Sequence, residues 1–140
     1  MTDALRTHVL RVATGSSETV HDLTRDCEAF LAEAAHGRDG LLNVFVPHAT
    51  AGIAVLETGA GSDDDLLAAL RDLLPPDDRW RHRHGSRGHG RDHVLPALVP
   101  PHATFPVLGG SLELGTWQSI CLVDTNGDNP ERKVRLSFLG

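Results

Sequence analysis

Apolar positions 10 and 12 alternate with Arg11 inside a β-branched stretch, so residues 5–13 are predicted to form a strand. Gly15-Ser16-Ser17 marks a turn. The period then changes. Apolar side chains at 20, 23, 27, 30, 31 and 34 recur mostly in steps of three and four, predicting a one-faced helix over 20–35 with Gly37 as its stop. Residues 41–46 are nearly all apolar and end at Pro47, and residues 51–56 repeat that pattern, so both read as buried strands. Ser62 is placed to cap a second helix, with Asp63, Asp64 and Asp65 in its first turn, Leu66, Leu67, Leu70, Leu73 and Leu74 on its apolar face, and Pro75-Pro76 at its end.

Periodicity disappears from Asp77 to Asp92, and a loop of that length in a small domain is more often functional than accidental. A short helix interrupted by Pro96 is expected over 93–99, followed by strands at 104–108, 111–114, 117–123 and 132–138. Gly109-Gly110 and the segment Asn126-Gly127-Asp128-Asn129-Pro130 supply turns. Two main helices and about seven strands predict an α+β fold, a mostly antiparallel β-sandwich forming one domain over residues 1–140.

The composition is ordinary for a globular chain: 40% hydrophobic and 23% charged over 140 residues, which excludes a disordered tail, a collagen-like repeat or a coiled coil. No apolar run approaches the roughly 20 residues a membrane helix needs. The first six residues lack the basic-then-apolar pattern of a secretory leader. Cys27 and Cys121 stand far apart, in no redox or metal spacing, and both read as core, so a reduced, cytoplasmic setting is expected. A net charge of −6 argues against nucleic acid or an anionic membrane as partner. The charge is uneven, however. Five arginines lie between Arg79 and Arg91, and four of the nine histidines lie between His82 and His93.

Three constellations carry candidate chemistry. In Pro47-His48-Ala49-Thr50-Ala51-Gly52, His48 and Thr50 share one side of an extended segment, Gly52 permits close approach of a ligand or another backbone, and Glu57 closes the following apolar run. In Trp80-Arg81-His82-Arg83-His84, with His89 and His93, imidazoles suited to metal binding or proton transfer are interleaved with guanidiniums suited to phosphate oxygens. His82 and His93 are the stronger candidates, while His84 and His89 read as members of a solvated basic loop. In Leu114-Gly115-Thr116-Trp117-Gln118, the tryptophan reads as core or interface and Gln118 offers an amide. Arg132 and Arg135 fall on opposite faces of the last strand. No nucleophile elbow, phosphate-binding lysine loop or dinucleotide fingerprint occurs.

Taken in order, His48-Ala49-Thr50-Ala51-Gly52-Ile53, Glu57, an aspartate at or beside Asp65, Trp80-x-His82, His93-Val94 and Leu114-Gly115-Thr116-Trp117-Gln118 resemble the YjbQ family, whose members are described as secondary thiamine-phosphate synthases. The likeness runs from about residue 5 to Gly140. It implies a compact α+β subunit assembling as a homotrimer, with pockets near subunit boundaries. Its polar signature falls on His48, Thr50, Glu57, Asp65, His82, His93, Trp117, Gln118 and Arg132. The chain departs from the family pattern in carrying Trp80 for the usual tyrosine, and His89-Gly90-Arg91-Asp92 where an asparagine-alanine pair is often found.

The implied reaction joins a hydroxymethylpyrimidine diphosphate to a thiazole phosphate and releases pyrophosphate, as a main or a side activity. The thiazole nitrogen is the nucleophile, so no serine or cysteine is needed. His48, His82 and His93 are expected to converge on the anionic group, by holding a divalent metal (zinc or magnesium) or by direct hydrogen bonds, with Glu57 or Asp65 orienting a histidine or holding the metal. Trp117, Gln118 and Arg132 would contact the phosphorylated substrate. Two other readings use the same residues: a metal-dependent hydrolase of a phosphorylated metabolite, and a non-catalytic trimer that binds an anionic metabolite.

Overall fold

The structure, a computed structural model, describes residues 5–140. The leader-free reading of the first six residues rests largely on residues 1–4, outside that range. Eight strands and three α-helices follow in the order β1 (Leu5–Ala13), β2 (Thr19–Asp22), α1 (Thr24–Ala34), β3 (Gly40–Phe45), β4 (Ala51–Leu56), α2 (Ser62–Leu73), a 3-10 turn (His89–His93), α3 (Leu95–Leu98), β5 (His102–Leu108), β6 (Ser111–Leu112), β7 (Ser119–Asp124) and β8 (Glu131–Leu139). The strands make two antiparallel sheets, one ordered β1-β8-β3-β5-β6 and one ordered β2-β7-β4. The α+β class with antiparallel sheets is therefore as expected.

The layers follow from which face each strand buries. Val12, Leu42, Val44, Phe105, Val107, Val134, Leu136 and Phe138 of the larger sheet meet Ile53, Ile120 and Leu122 of the smaller one and Cys27 and Leu31 of α1 in one core. The other face of the smaller sheet is covered by α2 and α3, with Leu70, Leu74, Leu95 and Val99 packed on Val123. Buried on both faces, β7 reads as a continuous apolar run without alternation. Gly52 shows why the run after His48 needs a glycine: an added Cβ would lie 1.9 Å from the Val99 carbonyl oxygen. The close approach is made by backbone after α3, where Ile53 N–H donates to the Pro100 carbonyl at 2.8 Å.

The structure corrects several sequence-based expectations. Residues 20–22 pair with β7 as β2 instead of opening a helix, and α1 starts only at Thr24, whose N–H donates to the Asp22 carboxylate at 2.9 Å. The cap of α2 is Gly61, at φ 99°; Ser62 is its first helical residue and makes no side-chain cap bond. The strand expected over 117–123 begins at Ser119, since the Gln118 side chain accepts the Gly115 N–H at 2.8 Å while Gln118 N–H donates to the Gly115 carbonyl at 3.0 Å, closing a turn. Trp117 is consequently 71% exposed and not core. The strand expected over 111–114 is confined to Ser111–Leu112. Cys27 and Cys121 are both buried and free, as the core reading required. Among the described residues no helix is long and apolar enough to cross a membrane.

Candidate functional site

The long loop after α2 is short of regular structure but tightly held. Trp80 Nε1–H donates to the Pro75 carbonyl at 2.9 Å and its ring packs against the α2 side of the core. Gly90 fits where no other residue would, because a Cβ there would lie 2.4 Å from the His82 carbonyl oxygen and 2.5 Å from the Trp80 Cβ. Arg91, 4% exposed, binds the Glu18 carboxylate and donates to the Leu74 carbonyl at 3.2 Å, joining the end of α2 to the segment before β2. These contacts fold residues 80–93 back on themselves and bring three imidazoles of that segment together.

One ring nitrogen from each of His82, His89 and His93 lies within 4.8 Å of the others. Nε2 of His89 and Nε2 of His93 are 2.9 Å apart. Nδ1 of His89 lies 3.3 Å from both Asp92 and Asp128. Neither carboxylate is aligned to accept a hydrogen bond from it, but two negative groups at that distance favour the proton on Nδ1. That leaves Nε2 of His89 as a lone pair aimed at its neighbour, a contact that a His93 Nε2–H satisfies as a hydrogen bond and that a cation would satisfy in its place. Nε2 of His82 is buried with no hydrogen-bond partner. An unpartnered buried nitrogen beside two converging ones is a donor set that could hold a metal ion, and the carboxylates behind His89 are of the kind that supports such ligands.

The 124–128 segment ties this cluster to the other signature residues. Thr125 Oγ1–H donates to Asp92 at 2.6 Å, and Ser86 N–H donates to Asp128 at 3.0 Å. Asn126 Nδ2–H donates to Thr50 Oγ1 at 3.2 Å. Arg132, 1% exposed, binds the equally buried Asp124 through Nε at 2.5 Å and Nη2 at 3.4 Å. Thr50, Arg132, Asp92 and the histidines thus belong to one polar network at the C-terminal end of β7. His48 stands apart from the His82–His89–His93 cluster. Its Nε2 accepts the Lys133 N–H at 2.9 Å, extending the sheet beyond β3, so within this subunit the third imidazole of the cluster is His89, not His48.

Glu57, Trp117 and Gln118 lie at the opposite end of the smaller sheet, where Leu56 pairs with Ser119, about 17 Å along β7 from Asp124. Asp65 is exposed on the first turn of α2, and Asp63 is the more enclosed of the three aspartates. The folded subunit does not gather all nine expected residues. Sequence reasoning ranked His89 with the solvated basic loop, below His82 and His93, and gave no role to Asp92, Asp124, Arg91 or Glu18. The i, i+4 spacing of His89 and His93 was the available signal for the first, because one turn of helix-like backbone puts both on one side. Nothing local marked the buried ion pairs.

Burial lowers the His82 pKa from the ordinary histidine range, with repulsion from His84 and His89 adding to it, and lowers that of His93 with repulsion from His82, His89 and His84. Burial likewise lowers His48, with Arg132 next in effect. Burial raises Asp92 and Asp124 despite the Thr125 and Arg132 hydrogen bonds, while the Ser86 N–H lowers Asp128.

A lowered histidine pKa means that the unfolded chain takes up protons first. The stability due to the neutral cluster is complete above about pH 6.5 and is lost as the pH falls toward and through the lowered native values. Metal-free protein is therefore expected to lose more melting temperature between about pH 7.5 and 5.5 than the double variant His82→Asn/His93→Asn. Asp92 and Asp124 act with the opposite sign in both proteins, so the difference isolates the histidines. Parallel melting curves against pH would contradict this assignment.

Comparison with known proteins agrees with the resemblance. The family model described as "UPF0047 protein YjbQ-like" matches residues 8–140. The UPF0047 protein Rv2556c of Mycobacterium tuberculosis is 62% identical over 133 residues, covering 95% of this chain and 97% of that protein. The chain belongs to the YjbQ-like UPF0047 family. Another member, UPF0047 protein YugU of Bacillus subtilis, is 32% identical across 84% of this chain and 88% of its own length. Solved structures of similar shape include a YbjQ-like protein of unknown function from Sulfolobus solfataricus P2, with a TM-score of 0.90, 27% identity and 97% coverage of both chains. A hypothetical protein from Aeropyrum pernix K1 superposes with a TM-score of 0.85 at 35% identity, covering 96% of this chain and 98% of that one.

Proposed function

We propose that this YjbQ-like protein is a thiamine-phosphate synthase-like transferase acting on phosphorylated small molecules. In this reading the thiazole ring nitrogen bonds to the methylene carbon of the pyrimidine diphosphate as the carbon–oxygen bond to pyrophosphate breaks, and pyrophosphate leaves with the electron pair. The observation that carries the reading is the pairing of a three-histidine donor set with a cavity of about 240 Å³ lined by His82, His89, Arg83 and Arg87.

His82, His89 and His93 would hold a divalent cation, zinc for preference given an all-nitrogen donor set, and such a cation neutralises charge on departing phosphate oxygens. Arg83 offers a planar donor for the same oxygens, and Arg87 does so beside its 3.2 Å contact with Asp78, which with Asp77 also lines the cavity. Asp92 and Asp128 place negative charge 3.3 Å from His89 Nδ1, and the Asp124–Arg132 pair holds the β7–β8 connection that carries Asp128.

Two observations support a homotrimer with sites at subunit boundaries. Glu57, Trp117 and Gln118 lie remote from the cluster within one subunit, and the apolar row Leu5, Leu139 and Leu41 is left exposed on adjoining strands of the larger sheet. A solution mass three times 15.1 kDa is the corresponding expectation.

A second reading, a phosphoesterase, is favoured by the same donor set, since three-histidine zinc sites that keep a position open also activate water. Incubating zinc-loaded protein with the pyrimidine diphosphate, with and without the thiazole phosphate, decides between them. Transfer predicts pyrophosphate release and joined product only when both substrates are present. Phosphate or pyrophosphate release from the diphosphate alone supports hydrolysis, and no product in either mixture defeats both catalytic readings.

A further inference from the structure

The cluster has a fourth imidazole, unlike the other three. We infer that His84 is a displaceable fourth ligand: it closes the His82–His89–His93 site at rest and yields its position to an anionic oxygen of the substrate. This rests on the metal reading of the cluster given above.

His84 follows His82 by two residues in irregular backbone, and their ring centres are 3.9 Å apart. Its ring centre lies 5.6 Å from that of His89 and 5.7 Å from that of His93. Imidazoles sharing one ion, each bonded at about 2 Å, keep their ring centres about 5 Å apart. The His89–His93 pair is already at 4.8 Å. The ring nitrogens of His84 are not among those that lie within 4.8 Å of one another, and the His82 ring centre is only 3.9 Å from those of both His84 and His93, so His84 reaches the same point by turning away from His82 toward His89 and His93.

What separates it from the others is support. His89 is buried against two carboxylates, and His82 and His93 are half-buried. His84 is exposed, and among the described residues no hydrogen bond holds its ring. Its backbone, by contrast, is fixed. A Cβ on the next residue, Gly85 at φ 89°, would lie 2.8 Å from Asp128 Oδ2 and 3.0 Å from the His89 ring. The side chain can leave while the chain stays, which is the arrangement that makes release easy and return fast.

The direction of exchange follows from charge. Four neutral imidazoles leave the ion's charge uncompensated, whereas an anionic oxygen reduces it, so phosphate is favoured over His84 once it arrives. It arrives from the right side, since Arg83, the residue before His84, lines the cavity that also exposes His82 and His89.

The test uses the full chain loaded with Co²⁺, whose visible absorption reports coordination. The wild-type protein should show the strong bands of a four-coordinate ion, which change as inorganic phosphate is added. His84→Ala should bind Co²⁺ about tenfold more weakly. It should also bind inorganic phosphate about tenfold more tightly, because no ligand has to be displaced. An unaltered Co²⁺ spectrum and equal or weaker phosphate affinity in His84→Ala would overturn the inference and leave the three-histidine site standing. A wild-type protein that takes up no Co²⁺ would instead remove the metal reading itself, and the inference with it.

Discussion

His89→Ala is expected to weaken divalent-cation binding about 100-fold or more and to abolish turnover, while His48→Ala leaves cation affinity within about twofold. The magnitude follows from sharing the roughly 10–16 kcal/mol of a zinc site among about four ligands, near 3 kcal/mol each. The contrast follows from geometry. His89 Nε2 faces His93 Nε2 at 2.9 Å, whereas His48 Nε2 is already taken by the Lys133 N–H. Zn²⁺ or Co²⁺ titration of both variants checks this, with thermal melting in chelator to show that each is folded. Equal affinities in the two variants would mean that the cluster does not hold the ion. A loss confined to His48→Ala would restore the set His48, His82 and His93 expected from the sequence, reached through a neighbouring subunit.

The second large effect concerns stability. Asp124→Ala should cost about 4 kcal/mol, since it leaves the Arg132 guanidinium buried without its counter-charge. It also removes the acceptor of the Asn126 N–H at 2.9 Å, loosening the β7–β8 connection that holds Thr50 and Asp92. For a chain of this size the melting temperature should drop by roughly 12 °C. The double variant Asp124→Leu/Arg132→Met should recover much of that loss, because the two charges no longer have to be desolvated. A single-variant cost below about 1 kcal/mol would show that the pair is hydrated in solution and not a structural link.

Strands whose two faces meet different environments were legible from their alternation, and β8 is the clearest, with buried Arg132, Val134, Leu136 and Phe138 alternating with exposed neighbours. The β2 segment was not. Val20 and Leu23 fit a helical period by coincidence, and pairing with β7 outweighed it. The Gly-Thr-Trp-Gln stretch looked like a strand because tryptophan favours strands, yet a four-residue side-chain-to-backbone turn took precedence. In the histidine loop, the residues now seen as central gave weak signals for opposite reasons. His89 looked like surface because the residues around it are charged or glycine, and Arg91 looked solvated because its partner Glu18 lies 73 positions away.

The amino-acid order alone determined the class of fold, the two main helices, the concentration of imidazoles and guanidiniums between His82 and His93, and the family to which the chain belongs. Those properties are local or cumulative: hydrophobic period, turn residues and ordered motifs survive being read in one dimension. Which histidines share a centre, and which signature residues are kept apart at the two ends of β7, was decided by tertiary structure. A ligand set requires nitrogens a few ångströms apart, and that spacing exists only once Gly90, Arg91 and the 124–128 segment have closed the loop on itself.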